Sequence, residues 1–274
     1  MTICLNRKPV VVLQTITGFL VIIFLSPRFF LDNRMLTHEL LLQLQRDLYR
    51  IPLGRKRFDI YIKTMTDSDG GMKLPLSAMN PMAKDHVPLL LDTYLSLNAD
   101  EQAQVVVEDF AADDPFGKDE FRTALVIADD AQGGWTNRFT TDFANRFESR
   151  PLFGRGWLVA LLWSSESASV QMVKQTVKAA IYRGLWIHQN GFGTNLEQML
   201  NQEQFALSQA GYQPQLSSDE LAYTAEVIQP LLKNEDPPTL FAALYGDLAA
   251  ERLGYPSLGL SQNAGFHLAA WQKT

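Results

Sequence analysis

Two short stretches of the sequence collect the side chains best suited to act together. The first runs Asp129-Asp130-Ala131-Gln132-Gly133-Gly134-Trp135, with Arg138 just beyond; the second runs Ser164-Ser165-Glu166-Ser167. Asp129 or Asp130 would serve as an acid, a base or a cation ligand. Ser164 or Ser165 would position a substrate, and Arg138 would clamp an anion. Ser167 stands near the start of the next helix, where unpaired backbone N–H groups suit a negative charge. Gly133, Gly134 and Trp135 complete the ligand-binding candidates, with the indole as a stacking lid beside paired glycines. A plainer reading covers the same residues. Asp, Gly and Ser are the ordinary residues of strand-to-helix turns, and serines cap helices without binding anything. No nucleophile–base pair can be named.

These loops matter as a pair only because of what precedes each of them. Phe121–Ala128 and Trp157–Trp163 are near-continuous apolar runs bounded by turn residues, the pattern of strands buried on both faces. A helix near Thr140–Phe147 separates them. Strand, helix and strand in that order make the two strands parallel neighbours, with both C-terminal ends on one edge of the sheet. Ligands of open α/β sheets bind at that edge. Arg146, Arg150 and Arg155 fall on the return connection.

The rest of the chain reads mostly as helix. Leucines at 40, 41, 44 and 48 predict a helix over 36–50 capped by Thr37, and Arg55–Thr64 a second. Met72–Met79 reads as a short edge strand weakened by Pro75. Asp85 caps a helix over 86–97, and Asn98 with Glu101 starts another to Ala112. Further helices are expected over 170–187, 196–210, 217–232 and 237–254, with a short one near Trp271. The expected fold is therefore α/β: a small, mostly parallel sheet flanked by helices, with a helical C-terminal half. One globular domain over 35–274 accounts for it.

Residues 1–34 stand apart. Val10–Ser26 holds no charged residue and is about at the short limit for a bilayer-spanning helix. Three readings are open: a single membrane anchor, a signal peptide without an evident cleavage site, or a segment upstream of a true start at Met35. Arg28, Arg34 and Arg46 after the run favour a cytoplasmic body, free or tethered by this segment.

Composition narrows the function classes. The 274 residues carry a formal net charge of −6, and the first 34 hold Arg7, Lys8, Arg28 and Arg34 against Asp32 alone, so the body is more acidic still. Such a surface repels phosphate backbones, and nucleic acid is not an expected partner. The single cysteine, Cys4, allows no intramolecular disulfide and no Cys-based metal site. His38, His86, His188 and His267 are scattered, and no two have metal-ligand spacing on a helix. No phosphate-binding loop, dinucleotide fingerprint or hydrolase elbow is present. No metal site is expected and no cofactor is indicated. Two readings of function remain: a small-molecule-binding protein, extending to an enzyme acting on an anionic substrate at the strand ends, or a non-catalytic interaction protein that presents its C-terminal helical face to a partner.

Overall fold

The computed structural model describes residues 11–16 and 19–24 by their backbone, and residues 35–113, 115–131 and 136–271 in full. Contacts divide the chain into a unit ending at Arg34 and a second beginning at Met35.

In the first unit, strands β1 (Val11–Ile16) and β2 (Phe19–Phe24) pair antiparallel, from Val11 opposite Phe24 to Ile16 opposite Phe19. The apolar run, for which a membrane-spanning helix is one of three readings, is a strand pair over these residues. Its Val, Ile, Thr and Phe content suits a pleated ladder as well as a helix. No helix among the described residues is long and apolar enough to cross a membrane.

The second unit is built on three parallel strands in the order β3-β4-β5. Strands β4 (Phe121–Ala128) and β5 (Trp157–Trp163) are the two apolar runs, in register from Arg122 opposite Trp157 to Ala128 opposite Trp163. Every residue of β5 is buried, and all of β4 except Arg122.

The third strand, β3 (Leu36–Glu39), occupies what reads in sequence as the first turn of a helix. Helix α1 starts only at Leu42 and runs to Arg50. Its N-terminal cap is not Thr37 but the carboxylate of Asp100, which accepts from the Leu42 N–H at 3.0 Å. That cap is supplied from 58 positions away, so no local pattern announces it.

β3 pairs only with Phe121–Ala124. Beyond it, the Gln45 side chain takes the place of a strand. Its amide donates to the Leu125 carbonyl at 2.8 Å, and its oxygen accepts from the Ile127 N–H at 2.9 Å. Gln45 is fully buried. One carboxamide reproduces the donor and acceptor of a peptide unit and closes that flank of β4.

Helix α2 spans Arg55–Met65. The strand expected over 72–79 is absent: a single bridge joins Thr66 to Met72, and Leu76 and Met79 are instead buried from a loop. Helices α3 (His86–Ser96) and α4 (Ala99–Ala111) follow. Asn98 takes a left-handed conformation with no side-chain cap bond, so the box expected with Glu101 does not form.

Helix α5 (Arg138–Phe147), capped by the Asn137 side chain, and the short α6 (Arg150–Phe153) connect β4 to β5. Helix α7 (Val170–Asn190) packs on β5. A Cβ at its Gly184 would lie 2.5 Å from a Leu158 methyl, so glycine here sets how closely α7 approaches the sheet. Helices α8 (Leu196–Gln209), α9 (Ser218–Ile228), α10 (Pro237–Tyr245), α11 (Asp247–Leu253) and α12 (Ala264–Trp271) form the C-terminal half. The capping box at Ser217 and Glu220 is present as its spacing predicts. The single helix expected over 237–254 breaks at Gly246, where φ is 81° and a Cβ would fall 2.1 Å from the Ser261 carbonyl oxygen. Only glycine fits there.

Two hydrophobic clusters result. One surrounds the sheet; the other joins Phe139, Phe143 and Phe147 of α5 to the C-terminal helices. Replacing Gln45 by Leu should keep the volume but leave the Leu125 carbonyl and Ile127 N–H buried and unpaired. The expected loss of unfolding free energy in urea is roughly 2–4 kcal/mol. A loss near zero would mean that this flank of β4 is satisfied without Gln45.

Candidate functional site

The ends of β4 and β5 lie together, and hydrogen bonds lace their loops. Asp129 is 5% exposed. Its carboxylate accepts from His86 Nε2 at 2.8 Å, Ser164 Oγ at 2.9 Å and Asn80 Nδ2 at 3.0 Å. Burial alone would push its pKa up, but the bonds from His86, Asn80 and Ser164 outweigh burial and hold it below the usual range. The Ser164 hydroxyl in turn accepts from the N–H groups of Asp130 and Ala131 at 2.9 and 3.0 Å.

Asp130 accepts from the Ser165 N–H at 2.9 Å, the Ser165 hydroxyl at 2.8 Å and Arg138 Nη1 at 2.7 Å. Arg138 also pairs with Glu166, and its guanidinium lies 4.9 Å from the Trp163 ring centroid. Five of the sequence-derived candidates therefore meet in one net: Asp129, Asp130, Arg138, Ser164 and Ser165. Ser167 is exposed and stands outside it, and the α7 cap is Ser169, which accepts from the Met172 N–H. Gly133, Gly134 and Trp135 lie outside the described residues.

His86 joins this net without any signal from its sequence spacing. A carboxylate can only accept, so Nε2 carries a proton, and the other ring nitrogen is Nδ1. That atom is buried and has no partner among the described residues. Ser164 gives its proton to Asp129 rather than to His86, so no activated nucleophile results. A second constellation has the order hydroxyl, imidazole, carboxylate: Thr123 Oγ1 is 2.7 Å from His38 Nδ1, and His38 Nε2 is 3.2 Å from Asp100. Thr123 is fully buried in mid-strand, so these three groups tie β3, β4 and α4 together instead of meeting a substrate.

Arg138, Trp163 and Glu166 also form one end of a cavity of about 520 Å³. It lies beside β5, among α5, α7 and α12, and is lined by Val159, Ala160 and Leu161 together with Tyr212, Tyr245 and Phe266. Charged groups fix one wall. Arg183 holds Glu203 with a fork of two bonds, Nε at 2.6 Å and Nη2 at 2.9 Å. Arg146 reaches the same carboxylate at 2.5 Å through Nη1 and Asp142 at 2.6 Å through Nε. The Tyr245 hydroxyl donates to Asp142 at 2.9 Å.

Glu203 is fully buried. Desolvation opposes its charge, but Arg183 and Arg146 prevail and bring its pKa down to about 2. His267, another lining residue, also has a lowered pKa, but there burial is the cause and disfavours the charged form. A signal for Glu203 was present in the sequence. Leu196, Met199, Leu200, Glu203 and Leu207 share one helical stripe, so an acid stands where the pattern calls for an apolar residue. Asp142 and Arg146 stand likewise among Phe139, Phe143 and Phe147.

With the geometry in place, comparison with known proteins adds no identity. No family model, curated protein or solved structure matches this chain.

Changing Glu203 to Gln should leave two buried guanidiniums without their shared counter-charge and cost about 3–5 kcal/mol in urea unfolding. The pH dependence gives a second readout. A depressed folded-state pKa contributes stability that is fully present above the ordinary glutamate value of 4.5 and is lost as pH falls toward about 2. The stability gap between the native protein and Glu203→Gln should therefore narrow across that interval. A gap that stays constant with pH would contradict the assignment.

Proposed function

We propose that the protein binds a small polar organic molecule in the cavity beside β5. The observation that carries this reading is the cavity itself. Its volume of about 520 Å³ suits a ligand of ordinary metabolite size, and its wall is held rigid by bonded charges before any ligand arrives.

Its charge distribution argues for a neutral or zwitterionic ligand over a simple anion. Arg138 is paired with Asp130 and Glu166, Arg146 with Asp142 and Glu203, and Arg183 with Glu203. Each cation lining the cavity already has its counter-charge, so Arg138 reads as a wall group held by the protein's own carboxylates. Asp129 and Asp130 are positioning residues in this reading: they hold the strand-end loops and, through Arg138, shape one end of the cavity. The outer face of the C-terminal helices offers less. Its large exposed apolar side chains, Tyr223, Leu248 and Trp271, are single residues on α9, α11 and α12.

A thermal-shift screen of neutral and zwitterionic metabolites on the full chain tests the proposal, with Thr176→Trp as the cavity-filling control. A ligand present at a hundred times its Kd should stabilise the native protein by about 2.7 kcal/mol and raise Tm accordingly. It should leave Thr176→Trp unmoved. Hits that stabilise both proteins equally, or no hit at all, would count against the cavity.

A further inference from the structure

The cavity runs along the outer edge of β5, the last strand of the sheet. Gly156 O accepts from the Arg122 N–H at 2.6 Å, and the Ser164 N–H donates to Ala128 O at 2.9 Å. These bonds, at the two ends of the β4–β5 register, fix which residues of β5 face β4. Along a strand, alternate residues turn both main-chain groups to the same side. Leu158, Ala160 and Leu162 therefore pair with β4, while Trp157, Val159, Leu161 and Trp163 turn their N–H and C=O groups away from it.

None of the described strands lies on that outer side. Among the described residues, Asn145 donates to the Val159 carbonyl at 3.3 Å and the Glu166 N–H to the Trp163 carbonyl at 3.1 Å. Nothing described engages the N–H groups of Val159, Leu161 and Trp163, or the Leu161 carbonyl. The contrast with the far side of the sheet is direct, since Gln45 closes β4 there with both halves of its amide.

Void borders this edge along its length. Val159, Ala160, Leu161 and Trp163 line the large cavity, and a second void of about 20 Å³ continues past Trp157 and shares Asn145, Val159 and Arg183 with it. The side chains of β5 are buried, and its outer main-chain groups face this cavity. Such groups call for an occupant with matching acceptors and donors.

A sugar or a base would meet one repeat of the pattern. A peptide meets all of it: one residue exchanges both bonds with Leu161 while the residues two positions to either side reach Val159 and Trp163. Val159 to Trp163 spans four steps of about 3.3 Å, the length of a five-residue extended chain. The balanced charges along the walls suit the zwitterion that such a chain is.

We propose that the cavity binds a free peptide of about five residues as an added strand on the outer edge of β5. The proposal rests on the ligand-binding reading above and names its ligand class. The probe is a randomised pentapeptide pool, with the same pool methylated at every backbone nitrogen as control. Residue-resolved amide hydrogen exchange on the full chain is the readout. The plain pool at several millimolar should slow exchange at Val159, Leu161 and Trp163 roughly tenfold or more. The methylated pool should not, and Thr176→Trp should abolish the effect.

Leu161→Pro removes one outer N–H without touching the β4 ladder, and should weaken the slowing at Val159 and Trp163. The wild-type exchange data decide the matter whether or not that variant folds. Unchanged exchange at the three amides, or equal slowing by the methylated pool, would overturn the proposal. If peptides fail while a metabolite binds in a Thr176→Trp-sensitive way, the peptide inference falls and the ligand-binding reading stands. If neither binds, both fall.

Discussion

Main-chain hydrogen bonding in a small buried sheet is the constraint from which the rest of this structure follows. Three parallel strands have two outer edges, and β4 and β5 are buried nearly throughout, so an unpaired amide on either meets protein before it meets water. β3 satisfies the first half of β4. The second half is satisfied by Gln45, which fixes where α1 must lie. Asp100 then caps α1 from the start of α4, and His38 couples that carboxylate to Thr123 inside β4. The positions of α1 and α4 are thus set by polar contacts to one strand, and apolar packing fills in around them.

The same strand sends its end into the loop net. Asp129 is buried because Ala128 before it is the last residue of a buried strand, and a carboxylate in that position needs donors on both oxygens. His86, Asn80 and Ser164 supply them from three separate segments. A different rule governs the boundary between the sheet cluster and the helical cluster. There Glu203 is shared by Arg146 and Arg183, so one carboxylate joins α5, α7 and α8. Buried ion pairs of this kind add little net stability but penalise misplacement heavily. That suits a cavity wall, where position matters more than strength.

What could be read from sequence divides along physical lines. β4 and β5 were legible because strands buried on both faces are written as unbroken apolar runs. Their parallel pairing, and with it the meeting of Asp129 and Asp130 with Ser164 and Ser165, followed from the helix between them. β3 was not legible. Leu36 belongs by spacing to the leucines of α1, and the signal that separates them is Asp100, far along the chain. The break at Gly246 was hidden for a similar reason: the carbonyl that excludes a side chain there belongs to Ser261. Val10–Ser26 shows the limit of hydropathy, since a run of Val, Ile and Phe satisfies a helix and a strand pair equally. The cavity needed strand order, which no local pattern contains. Its charged wall had left a trace in the acid on the apolar stripe of α8, and only burial shows that trace to be meaningful.

An unpaired strand edge is ordinarily a hazard, because a second copy of the chain can dock on it and begin a fibre. Here the outer edge of β5 is set back among α5, α7 and α12. A folded sheet from another molecule would have to enter between those helices to pair with it. The edge can therefore stay open without templating aggregation, and needs none of the lysines, prolines or bulges that exposed edges carry. The flanking helices act as a filter on size, and a narrow chain reaches β5 more readily than a folded sheet does.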